Sequence, residues 1–278
     1  MTSSTDPAAL IEGGIEWDKV AQGYSEMASF MASLPRIERT REEVRSLLGT
    51  TPADEIYREH SVTLRRYRGQ GARRGEPVLM VPSLVNRSWI MDFLPGESMA
   101  EYLSRQRFDV FLLDWGMPNP GQRQLKLEYY LDHYLDRVVK RTLKAASART
   151  CHLLGYCLGG TMSALYLASR ADAPVTSFIS MTTPVNFVDR GILSWWSRPG
   201  HFDADKLVNT FGNIPDTFFR MSFPWIVPTA PLKKLRTLIE RHNDPAYLKS
   251  FLALDIWLAD NVPFPGEVYR QVIKDLYQ

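Results

Sequence analysis

A chain of 278 residues with 45% hydrophobic and 12% aromatic side chains has apolar content for one large globular domain, or a core with a sizeable insertion. Its 33 Lys and Arg against 31 Asp and Glu leave a net charge of +2, which argues against a basic nucleic-acid-binding face. No segment reaches about 18 unbroken apolar residues, and the start lacks the basic and apolar regions of a signal peptide, so a cytoplasmic protein without a transmembrane segment is expected.

Residues 1–14 are small and polar and are expected to be disordered. Ile15 to Leu34 and Ile37 to Leu48 read as two helices separated at Pro35, because proline removes a helix N–H. Val20, Tyr24, Met27, Phe30 and Met31 share a face of the first, a stripe expected to cap the core rather than meet a partner helix. Ser61 to Arg68 alternates in polarity and ends at Gly69, as a half-exposed strand does. Pro77 to Val81 is a short continuous apolar run, and Phe108 to Trp115, Cys151 to Tyr156 and Val175 to Met181 are three further strands. Between them Leu127 to Ala146 places Leu131, Leu135, Val138, Val139 and Leu143 on one side of a helix. Strands alternating with helices, several of them buried on both faces, predict a mostly parallel α/β sheet.

From Thr182 onward the texture changes. Trp195, Trp196, Phe211, Phe218, Phe219, Phe223, Trp225, Trp257 and Phe264 crowd a proline-containing stretch of short helices with no convincing strand. The expected organisation is an N-terminal helical segment (1–55), a core (56–182), a cap or lid insertion (183–265) and the start of a return to the core (266–278).

Gly155-Tyr156-Cys157-Leu158-Gly159-Gly160 lies between the last central strand and the helical run Thr161 to Ala168. Strand, sharp turn, nucleophile and helix form a nucleophile elbow, here with cysteine, and predict an α/β-hydrolase fold. Gly155 and Gly159 are small because strand and helix approach closely around the strained turn. The helix N-terminus behind Cys157 favours a thiolate and a developing oxyanion. One oxyanion donor is the backbone N–H of Leu158; the other belongs to the loop Pro82-Ser83-Leu84-Val85-Asn86-Arg87.

Such a cysteine needs a base and an orienting acid, which in this fold follow the nucleophile on loops after late strands. His60 and His133 precede it, and His152 lies on the strand itself, its side chain expected to face a packed helix. His201 and His242 read as surface or helix-end residues, and no strand precedes Asp255 or Asp260. Nucleophile without base is the reading that results. No histidine or cysteine pair has metal-ligand spacing, so no metal site is expected. Cys151 and Cys157 are poorly placed for a disulfide, and Cys151 reads as a small core hydrophobe.

The G-x-C-x-G-G box at Gly155 to Gly160 resembles the modified lipase box of polyhydroxyalkanoate synthases. Val81-Pro82-Ser83-Leu84-Val85-Asn86-Arg87 is similar to that family's oxyanion loop, and Asp114-Trp115-Gly116 to its strand-end motif. Thr183-Pro184-Val185-Asn186-Phe187 resembles its T-P-[VL]-D-F segment, with Asn186 where aspartate is usual. Phe211 to Pro215, Trp257 to Asn261 and Pro265-Gly266-Glu267 are similar to its cap and return segments. The short N-terminal region and the G-N-I-P segment resemble the catalytic subunit of the two-subunit class (class III).

The resemblance implies polymerisation of (R)-3-hydroxyacyl-coenzyme A into a growing polyester with release of coenzyme A. Cys157 would carry the acyl group, and the Val85 and Leu158 amides would hold the oxyanion. It implies no cofactor, coenzyme A entering as part of the substrate. It also implies a second synthase subunit or a homodimer as partner, and a place at the polyhydroxyalkanoate granule surface. The family's triad aspartate and histidine lie beyond the Pro265-Gly266-Glu267 helix, and no residue here matches them. The chain is therefore expected to be a C-terminally truncated form without the late strands. Two other readings stay open: a cysteine-elbow thioesterase or acyl hydrolase, and a non-catalytic synthase-like protein that binds a granule or a subunit.

Overall fold

A computed structural model describes residues 16–67, 69, 71–187 and 191–278. The polar stretch 1–14, Ile15 at the expected helix start and Arg68 at the expected strand end lie outside them. Among the described residues six strands form one sheet: β1 (Asp54–Glu59), β2 (Val62–Tyr67), β3 (Val78–Val81), β4 (Val110–Asp114), β5 (Cys151–Tyr156) and β6 (Val175–Met181). Their order is β1-β2-β4-β3-β5-β6. β1 and β2 pair antiparallel and β2 meets β4 antiparallel, while β4, β3, β5 and β6 run parallel.

β3 and the first four positions of β4 are apolar throughout because both faces are covered. Leu79, Val81, Phe111, Leu113, Cys151 and Leu153 point into the larger core, and Val78, Met80, Val110, Leu112 and Leu154 into the other. Helix α2 (Met99–Arg105) packs on the second side. On the first side lie α3 (Leu127–Tyr129), a π-helical turn at Tyr130–Leu135, and α4 (Asp136–Ala146). Leu131, Leu135, Val138 and Val139 are buried there, as their spacing predicts, and Leu143 packs against them. The π turn buries both Tyr130 and Tyr134, whose rings meet edge to face at 5.2 Å. Helix α5 (Leu158–Ala168) follows the elbow and covers β5.

Three features depart from expectation. β1 is an added strand: Asp54, Glu55, Arg58 and Glu59 hide its signal, yet it closes a hairpin in which His60 takes φ of 52°. Pro35 does not end a helix. Helix α1 is continuous over Trp17–Arg45, and Phe30, Ser33, Ile37 and Val44 on both sides of the proline are buried. Packing thus holds the two halves in line despite the missing N–H. The expected core stripe on α1 is also corrected, since only Phe30 is buried, and Tyr24 is 75% exposed. The N-terminal half of α1 runs out past the surface it would have to cover.

Because Pro35 is exposed, Pro35→Ala restores a helical hydrogen bond without removing packing. We expect a stability gain of about 1–2 kcal/mol, the helix term less the loss of proline's restriction of the unfolded chain. A urea midpoint that rises at unchanged slope is the expected reading, and an unchanged or lower midpoint would contradict it.

The stretch after β6 is helical. It comprises α6 (Ile192–Trp196), α7 (Ala204–Phe211), α8 (Asp216–Ile226), α9 (Ala230–Arg241) and α10 (Pro245–Ala259). α11 (Gly266–Gln271) and a π turn at Val272–Tyr277 follow. α11 lies so close to α7 that a Cβ on Gly266 would overlap the Gly212 carbonyl. Phe219, Phe264 and Tyr269 form its aromatic centre, with ring centroids 5.6–6.0 Å apart. α10 packs along α1, where Asp255 accepts from Arg41 at 2.8 Å and also pairs with Lys234.

Candidate active site

Cys157 sits at φ 52° and ψ −129°, the strained backbone of a tight turn between β5 and α5. Its N–H donates to the Met181 carbonyl of β6 at 3.0 Å, and its own carbonyl accepts from Gly160 at 2.8 Å. The glycines around it are dictated by backbone. A Cβ on Gly155 would overlap Gly160 Cα, and one on Gly159 would overlap the Val81 and Pro82 carbonyls that end β3. A Cβ on Gly160 would strike the Thr183 side chain.

The loop after β3 is fixed at its root, where Trp115 Nε1 donates to the Pro82 carbonyl at 2.9 Å. Ser83, only 2% exposed, directs its hydroxyl at the Cys157 sulfur, as does the Leu158 N–H. Burial nevertheless outweighs both donors and holds the thiol above its ordinary pKa. The helix N-terminus thus favours the thiolate, and burial opposes it more strongly. The Val85 N–H donates to Ser83 Oγ at 3.3 Å, a long bond that an incoming oxyanion could displace. Ser83 is the site residue that sequence reading passed over, since a serine in a turn has ordinary structural explanations.

Cys157 opens into a cavity of about 760 Å³. Its floor is Ser83, Val85, Asn86, Tyr156, Leu158 and Pro184; its walls and roof include Phe187, Trp195, Trp196, Phe202, Phe218, Phe223, Trp257 and Tyr269. The aromatic cap residues therefore shape a cavity as well as packing with one another.

The five histidines have partners away from the sulfur. His60 shares a hydrogen bond with Tyr134 Oη at 2.8 Å, and His133 with Glu59 at 2.9 Å. His152 does not face a packed helix: it bonds Ser177 Oγ at 2.8 Å across the β5–β6 pair, beside an edge strand left largely exposed. His242 is buried rather than superficial, because the end of α9 tucks under α1, where Nδ1 meets the Ile239 carbonyl at 2.7 Å and the ring abuts Phe30. His201 is exposed but lines the Cys157 cavity, its Nδ1 3.0 Å from the Trp195 carbonyl. Asp260 binds Arg87 and Trp89, so it and Asp255 serve structural pairs. Among the described residues no cluster of three or more His, Cys, Asp or Glu could hold a metal, and no helix is long and apolar enough to cross a membrane.

Both cysteines are free thiols, and Cys151 is fully buried in the core, with burial pushing its pKa up to about 12. Its neutral form is favoured by the fold, so that stabilisation is complete below the unfolded value of about 8.5 and is lost as pH rises towards the folded one. The stability difference between wild type and Cys151→Ala is expected to shrink by about 1.4 kcal/mol per pH unit between about pH 9 and 10. Parallel urea unfolding curves at those pH values check it, and a pH-independent difference would contradict it.

The family model described as alpha/beta hydrolase fold matches residues 76–277. A poly(3-hydroxyalkanoate) polymerase subunit PhaC from Allochromatium vinosum is 35% identical, over 83% of this chain and 65% of that protein. One from a Synechocystis strain is 34% identical, over 90% of this chain and 67% of that protein. Across these and the Haloferax mediterranei subunit, the chain spans 47% to 67% of the relatives' length. A solved structure from Sulfolobus solfataricus, a lipase candidate, superposes with a TM-score of 0.51 at 14% identity, over 81% of this chain and 80% of that one, a likeness of fold. The α/β-hydrolase fold expected from the sequence is thus present, and the chain belongs to the α/β-hydrolase fold family and, within it, to the PhaC family of poly(3-hydroxyalkanoate) polymerase subunits.

Proposed function

We propose that this chain carries the acyl-transfer centre of a polyester synthase acting on (R)-3-hydroxyacyl-coenzyme A. The observation that supports it best is a strained elbow cysteine opening into an apolar cavity under an aromatic cap. In the first half-reaction the Cys157 thiol loses its proton and Sγ attacks the thioester carbonyl. The Leu158 and Val85 amides hold the tetrahedral oxyanion, one such donor contributing roughly 3 kcal/mol. Collapse expels the coenzyme A thiolate, which takes up a proton, and leaves an acyl-cysteine. In the second, the 3-hydroxyl of another unit loses its proton and attacks that carbonyl, forming an ester and freeing Cys157. The apolar walls favour an acyl chain over water as occupant, which supports transfer rather than hydrolysis. Exchange of one thioester for another is nearly thermoneutral, so the cysteine carries the chain without trapping it.

Among the described residues no histidine is hydrogen-bonded to the Cys157 thiol: four imidazoles are engaged at other places in the fold, and His201, on the cavity wall, bonds the Trp195 carbonyl through Nδ1. Acylation of this chain then draws on the small thiolate fraction and is slower by on the order of 10³-fold than with a paired base. The substrate, a second subunit or homodimer partner, and residence at a polyester granule belong to the same proposal. The test is incubation with (R)-3-hydroxybutyryl-coenzyme A, following coenzyme A release and product. Acyl-enzyme and oligomeric ester are expected; free 3-hydroxybutyrate as sole product would favour a hydrolase, and no turnover or acylation at all the non-catalytic reading.

A further inference from the structure

The loop that carries the Val85 amide is not held by the sheet alone. Beyond its root at Pro82 it is fastened to the segment that leaves α10. The Val85 carbonyl accepts from Val262 N–H at 3.1 Å, and the Arg87 carbonyl accepts from Trp257 Nε1 at 2.9 Å. Asp260 accepts from Arg87 Nε at 3.2 Å and from Trp89 Nε1 at 3.3 Å. At the centre Asn86 and Asn261 form a backbone bridge, and Asn86 Nδ2 donates to Asn261 Oδ1. Asn86 lines the Cys157 cavity, whereas Asn261 is 6% exposed and its own Nδ2 is buried without a partner. An orphaned buried amide costs about 1–3 kcal/mol, and a leucine of similar size would avoid it. Here the asparagine instead supplies the acceptor that fixes Asn86, next to the proposed oxyanion donor.

We propose that Asn261 and Trp257 are positioning residues, through which the cap sets the oxyanion loop over Cys157. The inference rests on the acyl-transfer reading only in assigning Val85 as a donor. Its effect is specific: it acts on a reaction that passes through a tetrahedral oxyanion and not on one that does not.

Two probes of the same sulfur separate these cases. p-Nitrophenyl butyrate acylates Cys157 through an oxyanion, whether or not hydroxyacyl-coenzyme A is the substrate; iodoacetamide alkylates it by direct displacement. For Asn261→Leu, acylation is expected to fall at least tenfold relative to alkylation. Asn261→Asp keeps an acceptor oxygen for Asn86 and is expected to stay within about threefold of wild type, the order set by a weakened hydrogen bond. Trp257→Phe keeps an aromatic ring, removes the N–H to the Arg87 carbonyl, and is expected to lower the same ratio at least threefold. An unchanged ratio in both Asn261→Leu and Trp257→Phe, or equal loss of both reactions, would overturn the proposal. A wild type that reacts with p-nitrophenyl butyrate but not with hydroxyacyl-coenzyme A would count against the synthase reading and leave this one standing.

Discussion

Gly159→Ala is expected to destabilise the fold by about 3 kcal/mol or more, the upper end of overpacking effects, and to remove thiol reactivity with it. The added methyl would overlap two backbone carbonyls, of Val81 and Pro82, at the end of a buried central strand. A flexible side chain could swing aside; a strand end cannot move without separating α5 from the loop that faces Cys157. Gly155→Ala meets the Gly160 backbone and should behave alike. Gly23→Ala, in α1 with nothing within 4 Å of its new methyl, is the control and should stabilise by up to about 1 kcal/mol. Urea midpoints for the three variants measure this directly. Near-wild-type stability of Gly159→Ala would mean that strand and elbow are not packed as described.

The second large effect is on the pH dependence of Cys157. Its thiol is held above the ordinary value by burial, so the thiolate fraction at neutral pH is below that of a free cysteine. The reactive form is the thiolate, so the acylation rate should climb about tenfold per pH unit from about pH 6 to 8.5. No plateau is expected near pH 7. A cysteine paired with a histidine behaves otherwise, its reactivity levelling above the imidazole pKa of about 6.5. Stopped-flow acylation across that range distinguishes the two, and a plateau in the neutral region would contradict an unpaired thiol. Cys157→Ala should abolish the reaction entirely.

The features legible in the sequence are those governed by local chemistry. Val78 to Val81 and Val110 to Leu113 announce buried strands because both faces demand apolar side chains. Gly155 and Gly159 announce the elbow because no side chain fits between strand, helix and the end of β3. What stayed hidden depends on distant partners. The charged residues of β1 mask a strand that forms because β2 offers an edge, and α1 continues through Pro35 because α10 braces it. The α1 stripe has helical spacing, but periodicity says only that a face exists and not that anything lies against it. At the site, Ser83 and Asn86 gain meaning from Cys157 and Asn261, the latter 175 positions along the chain from Asn86. His201 reads as a surface histidine and is exposed, yet cap folding brings it to the wall of the cavity.

The central claim is that Cys157 is the atom through which acyl groups pass. It is tested most directly by incubating the protein with (R)-3-hydroxybutyryl-coenzyme A, quenching in acid, and mapping the acyl group by mass spectrometry of proteolytic peptides. The account predicts a 3-hydroxybutyryl thioester on the peptide containing Cys157, with stoichiometric release of coenzyme A, and neither in Cys157→Ala. Acylation at Cys151, or coenzyme A release that persists in Cys157→Ala, would contradict it.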